Sequence, residues 1–255
     1  MKLKLFSFIV FLVFNYTFGQ SPSVVFENAN AAYNNAKYEK AVSLYKEILD
    51  QGEYSAALYY NLANCYYRLN NVGESVFYYE KAKLLNPNDQ DIKVNAAFAQ
   101  NMAIDAVELL PQTQLTRMKN TFFNFFSTEG WAILAVVLAW FCAMFIGLYL
   151  WNKTPVLKRT FFILAILSSL LLVSSISISF MKSSMEKSIN FGILFSEKID
   201  VWAEPNSRSE VLFLLHEGTK VQLLDALQEW QKIKIANGSE GWIKGGVIRS
   251  LKDFK

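Results

Sequence analysis

Few residues in this chain could carry out covalent or acid–base chemistry. It has one histidine, His216, and two cysteines, Cys65 and Cys142. A Ser–His–Asp triad, a Cys–His pair or a His-ligated zinc would each have to use His216, the one side chain whose ordinary titration range suits proton transfer near neutrality. His216 falls between two strand-like runs and reads as a surface residue of a turn. Cys65 falls in an amphipathic helical segment and Cys142 in a long apolar run, so the two cannot approach to form a disulfide. No P-loop, GxSxG, HExxH or CxxC occurs. The expectation is no enzyme, no catalytic residue, no metal site and no cofactor. Acidic residues outnumber basic ones in residues 21–110, and the two nearly balance in 182–255. Neither part is basic enough for nucleic acid.

Binding is then what remains, and the elements that would position binding residues are legible. Two apolar runs without a charged residue, 131–151 (WAILAVVLAWFCAMFIGLYLW) and 160–181 (TFFILAILSSLLLVSSISISFM), are each long enough to cross a hydrocarbon core of about 30 Å. Between them, 152–159 (NKTPVLKR) is a short basic turn. The spans form a transmembrane hairpin whose turn faces the cytoplasm by the positive-inside rule. The opening stretch, MKLKLFSFIVFLVFNYTFGQ, has Lys2 and Lys4, a short apolar segment, and Thr17 and Gly19 as small residues before a cleavage point. Residues 1–19 read as a secretory signal peptide. Both soluble parts then lie on the periplasmic side of the bacterial inner membrane. Six serines in the second span suggest a face packed on the first span or a partner. No intramembrane acid, base or broken-helix glycine pair points to transport.

Residues 21–106 repeat with a period of 34. Ala29 matches Ala63, Asn30 matches Asn64, Tyr33 matches Tyr67 and Tyr45 matches Tyr79. Each unit, 22–55 and 56–89, reads as two amphipathic helices, and 90–106 as a sealing helix with Ile92, Ala96, Ala99 and Ala103 on one face. The pattern resembles tetratricopeptide repeats, with NLANCYYRLNNVGESVFYYEKAKLLNP the clearer copy. That resemblance implies a concave groove lined by the first helix of each pair: Phe26, Asn30, Tyr33, Tyr60, Asn61, Asn64 and Tyr67. Asn and Tyr offer hydrogen bonds and flat apolar area to an extended peptide; the competing role of these side chains is packing within the stack. Some members of the repeat family grip a carboxylate with Lys, Asn and Arg. Asn30 and Asn61 occupy the Asn places of that clamp, but Phe26, Asp91 and Asn95 hold the cationic ones, which excludes it. In the linker, 107–130, Pro111 ends the helical part. LTRMKNTFFNFF then reads as an interfacial segment, and Ser127 or Thr128 as a cap for the first span. Trp131 and Trp151 read as an aromatic belt.

In residues 189–251 the periodicity changes to two. Val221–Leu224 and Ile233–Ile235 read as strands, and Asn237-Gly238 as a two-residue hairpin turn. Glu217-Gly218-Thr219, Trp230 before the Ile233 strand, and the Gly-x-x-Gly-Trp turn ending at Trp242 resemble bacterial SH3-like domains, which implies a small barrel. Trp202, Trp230 and Trp242 could line a ligand surface; the competing role for Trp230 and Trp242 is barrel core and rim.

The fold class expected is thus a multidomain membrane protein: all-α tetratricopeptide-like repeats, a two-helix transmembrane hairpin and a small all-β SH3-like barrel. This order of parts, with TEGWAILAVVLAWF, LLHEGTKV and GWI, resembles the BatE-like members of the Bat aerotolerance proteins. The resemblance implies an inner-membrane assembly with von Willebrand A-domain proteins and a MoxR-type ATPase, and a role in envelope integrity or oxygen and stress tolerance. The leading expectation is a non-catalytic adaptor that binds protein partners through the repeats and membrane lipid through the hairpin. The alternatives are a cell-wall sensor that binds peptidoglycan peptide through the SH3-like domain, and an accessory subunit of a cell-wall enzyme.

Overall fold

The computed structural model describes residues 21–105 and 113–252. The leader with its cleavage point, and Pro111, lie outside the described residues. The chain divides into two compact units: one holds the helical repeats together with Phe191 onward, the other the segment that ends at Asn190.

In the first unit, α1 (Pro22–Asn34) pairs with α2 (Tyr38–Asp50), α3 (Ala56–Arg68) with α4 (Val72–Leu85), and α5 (Gln90–Gln100) closes the stack. The local reasons recur with the repeat. Ser55, Asn71 and Asp89 accept backbone N–H groups in the first turns of α3, α4 and α5, which satisfies otherwise orphaned donors. Ala36 and Asn70 stand at equivalent places in the two inter-helix turns, and both are left-handed, with φ of 57° and 56°. Small buried side chains at Ala29, Ala41, Ala63 and Ser75 let the helices close together. The sealing helix is shorter than the expected 90–106: it ends at Gln100, with Asn101 as its C-cap. Ile92, Ala96 and Ala99 are buried as the spacing requires, but Ala103 lies beyond the helix.

β1 (Asn190–Leu194), β2 (Lys198–Trp202), β3 (Val211–His216), β4 (Lys220–Leu227), β5 (Trp230–Lys234), β6 (Glu240–Lys244) and β7 (Ile248–Ser250) form one sheet in the order β3-β2-β6-β5-β4-β1-β7. Val201, Leu215, Val221, Ile233 and Ile243 fill its inner face. The β5–β6 turn has three residues rather than two: the Ile235 N–H donates to the Ser239 carbonyl, and Gly238, at φ 86°, supplies the left-handed position. A register shift between Val201 and Trp202 leaves Leu212 as the extra residue of a bulge on β3, which is one way an outer strand avoids unwanted pairing.

The second unit contains α6 (Gln114–Phe123), α7 (Thr128–Trp151) and α8 (Pro155–Ser188). α7 and α8 are both long and apolar enough to cross a membrane, with a mean hydropathy of 2.5. Ser127 is the cap of α7, its Oγ accepting the Gly130 N–H. The serines of α8 sort by face. Ser175 and Ser179 donate to the carbonyls of Trp131 and Thr128, and Ser169 meets the Cys142 thiol at 3.1 Å. Ser174 and Ser177 bond back to their own helix. The helix pair is thus stitched by hydroxyls along one stripe. Trp131 is buried beside Phe122 and Phe126, and its indole N–H donates to the Phe123 carbonyl. The Lys182 ammonium gathers the carbonyls of Phe123 and Phe126 and the Asn124 side chain. It thereby satisfies acceptors that the end of α6 leaves over.

Candidate functional site

All seven expected groove residues are half-buried on α1 and α3. Several are tied to each other. The Tyr45 hydroxyl donates to Asn30 Oδ1 at 2.6 Å, and the Asn61 amide donates to the same oxygen at 3.1 Å. One repeat on, Tyr79 donates to Asn64. The ring contacts repeat too: Phe26 meets Tyr45 edge-on, and Tyr60 meets Tyr79 in the same way. Tyr45 and Tyr79 are almost fully buried, so each hydroxyl needs an internal acceptor. Burial pushes both phenols well above their ordinary range. The side-chain oxygens of Asn30 and Asn64 therefore bolt the first helix of each repeat to the second. Tyr33 packs edge-on against Tyr38, and Tyr67 rests on the core.

The repeat pattern extends to α5. Adding the 34-residue period to Tyr60 and Asn64 gives Val94 and Phe98, which are 51% and 56% exposed. Asn95 donates to the Tyr60 hydroxyl at 2.7 Å, tying α5 to α3. The period itself, carried one unit further, was the signal for these two residues. Cys65 is fully buried in the stack, and burial pushes its thiol up to about 12, which leaves it without thiolate character.

The second site is one the sequence did not show. The repeats and the barrel share a single hydrophobic cluster, in which Ile193 and Leu251 of the barrel join the repeat core, with Phe191 and Phe195 packed against it. Phe77 of α4 meets Phe195 edge-on, and the Arg249 guanidinium stacks over both rings, 3.6 Å from the Phe195 centroid and 4.4 Å from that of Phe77. Around this patch lie polar pairs. Glu80, 2% exposed, is held by Lys220 and by the Gln100 amide. Glu74 pairs with Arg249. Glu217 accepts the Gly73 N–H in the first turn of α4 at 3.0 Å, where a carboxylate also suits the helix dipole. Gly218 is left-handed at φ 85°, and a Cβ there would lie 2.8 Å from Val72. The turn between β3 and β4 can approach α4 this closely only with glycine.

His216 is not a free turn residue. It ends β3, and its backbone N–H and the Thr219 hydroxyl donate to one Asp105 oxygen at 2.6 Å each, while its Nδ1 lies 2.8 Å from the other. Burial pushes the Asp105 carboxyl up, but the Thr219 and His216 hydrogen bonds more than offset this, and its pKa sits below the ordinary carboxylate value. A lowered folded-state pKa contributes stability that is present above the unfolded value of about 3.9 and is lost as pH falls through the folded value. Asp105→Asn is therefore expected to cost roughly 1–3 kcal/mol near neutrality and to flatten the loss of stability below about pH 4. Urea unfolding of both proteins across that range reads this, and parallel pH profiles would rule out a role for Asp105.

The tryptophans sit on strands other than those at this contact. Trp230 is 6% exposed but stands outside the cluster of buried residues that fills the barrel, on the face of β5 opposite Ile233. Trp202 is half-buried, packs perpendicular to it with centroids 5.3 Å apart, and stands opposite Trp242 in the β2–β6 register.

Residues 56–89 match the family model for a tetratricopeptide repeat, and residues 198–249 match that for a bacterial SH3 domain. The first supports protein–protein interaction and the second supports cell-wall binding. No curated protein matches the chain.

Proposed function

We propose that the chain is a non-catalytic, membrane-anchored adaptor whose repeat groove binds protein partners within a Bat-type envelope and oxygen- or stress-tolerance complex. In this reading the partners are von Willebrand A-domain membrane proteins and a MoxR-type ATPase system. What supports it is the repeat match together with half-buried Tyr60 and Tyr67 on α3 and exposed Val94 and Phe98 on α5, which offer ring and apolar area beside asparagines. Phe98 is exposed, so Phe98→Asp should leave stability unchanged and reduce partner retention on affinity capture from membranes by about tenfold or more. Undiminished retention of those partners would remove the groove from the reading.

The hairpin anchors the chain in the bacterial inner membrane, with both soluble parts in the periplasm and residues 152–159 in the cytoplasm. A reporter active only outside the cytoplasm should work when fused after Lys255 and stay silent when fused within residues 154–157. Activity within that turn would reverse the topology.

A second reading, supported by the bacterial SH3 match and by the Trp202–Trp230 pair, is that the barrel binds peptidoglycan peptide. An accessory role beside a cell-wall enzyme would use the same surface. Retention on purified cell wall that is lost in Trp202→Ala separates this from the adaptor reading.

A further inference from the structure

The start of α1, the end of α2 and the start of α3 line an open cleft of about 560 Å³. Its wall is apolar, built from Val24, Phe26, Ile48, Tyr54, Ala57 and Leu58. Val24 and Tyr54 remain 49% and 48% exposed within it. The volume lies in the range of pockets that enclose a large side chain or a small ligand. Two carboxylates, Glu27 and Glu53, also line the cleft, and among the described residues no lysine, arginine or histidine does. Elsewhere in this unit Glu74, Glu80 and Glu240 are each held by a lysine or arginine. Among the described residues, Glu27 and Glu53 form no ion pair. The positive end of α3 does not cancel them. Ser55 already caps it, and a helix end carries about half a charge against a full one on each carboxylate.

We propose that this cleft receives an extended segment of a protein partner that inserts one large apolar or aromatic side chain and carries Lys or Arg beside it. The apolar wall supplies the burial and the two carboxylates supply the charge preference. The proposal rests on the adaptor reading and specifies the chemistry of its partner.

The test is a selection of random peptides displayed on phage against the full-length chain in nanodiscs, counter-selected on empty nanodiscs. The enriched sequences should carry a large apolar residue next to Lys or Arg. A synthetic peptide of that sequence should bind about tenfold or more weakly to Ala57→Trp, which fills the cleft from an exposed helix position. The double reversal Glu27→Lys with Glu53→Lys should switch the enriched flanking residues to Asp or Glu. Because Ala57→Trp could perturb the stack, the reversal is an independent arm that leaves the apolar wall untouched. Enriched sequences that lack a basic residue, or that bind both variants as well as the parent chain, overturn the cleft proposal and leave a peptide-binding groove standing. Enrichment of nothing on any form overturns both.

Discussion

Truncating Phe77 to alanine is expected to loosen the repeats and the barrel together. Phe77 is 5% exposed and its ring stands where the two meet, against Phe195, beneath Arg249 and beside Tyr78. Removing a buried phenylalanine ring costs about 3–5 kcal/mol through lost transfer energy and the cavity left behind. Here the cavity opens between parts of the chain more than a hundred residues apart in sequence, and the Arg249 guanidinium loses one of its two aromatic faces. Hydrogen exchange of the full-length protein, read by mass spectrometry, separates the possibilities. Amides of α3 and α4 and those of β1, β4 and β7 should all exchange at least about a hundredfold faster, because a shared core opens as one unit. If the barrel amides keep their protection while only the helices lose theirs, the contact holds no energy and the barrel is a tethered passenger.

That shared core also marks where the sequence stopped being readable. The 34-residue period located all four repeat helices, because each needs an apolar face and small residues at fixed places. The alternating runs located β4 and β5 for the corresponding reason. α4 departs from the amphipathic expectation. In its stretch Phe77-Tyr78-Tyr79-Glu80-Lys81 all five residues are buried, the two charged ones included. A helix buried on every side must have a second partner, but nothing in its own sequence says which. The partner lies across the hairpin in the chain, and pairs such as Asp105 with His216, 111 residues apart, have no local signature. His216 therefore looked like an idle turn residue. The residues expected in the groove pose a different difficulty. They lie half-buried on α1 and α3, where an asparagine can face a ligand or its own stack. Only the burial of Tyr45 and Tyr79 reveals that Asn30 and Asn64 turn their oxygens inward.

Replacing Glu80 by alanine should be the second severe change, and its partner shows why. Glu80 side-chain exposure is 3%, whereas Lys220 keeps 32%. Breaking a fully buried ion pair by removing one member typically costs about 3–5 kcal/mol, because the other charge is stranded away from water. Lys220 can still reach solvent, and its ammonium also lies 4.6 Å from the Phe191 ring centroid, so the expected loss is smaller, about 2–3 kcal/mol. The Gln100 amide loses its acceptor in the same substitution, which adds an unmet donor beside α5. The decisive comparison is a double change. Glu80→Leu with Lys220→Met removes both charges and keeps apolar volume, and it should recover most of the stability lost in Glu80→Ala. Chemical unfolding midpoints of the three proteins measure this. If the double variant is as weak as Glu80→Ala, the pair is not what Glu80 contributes. The loss would then come from packing around α4. Recovery would mean that the loss in Glu80→Ala comes from the stranded Lys220 charge, while the apolar cluster around Phe77 holds the barrel and the second repeat together.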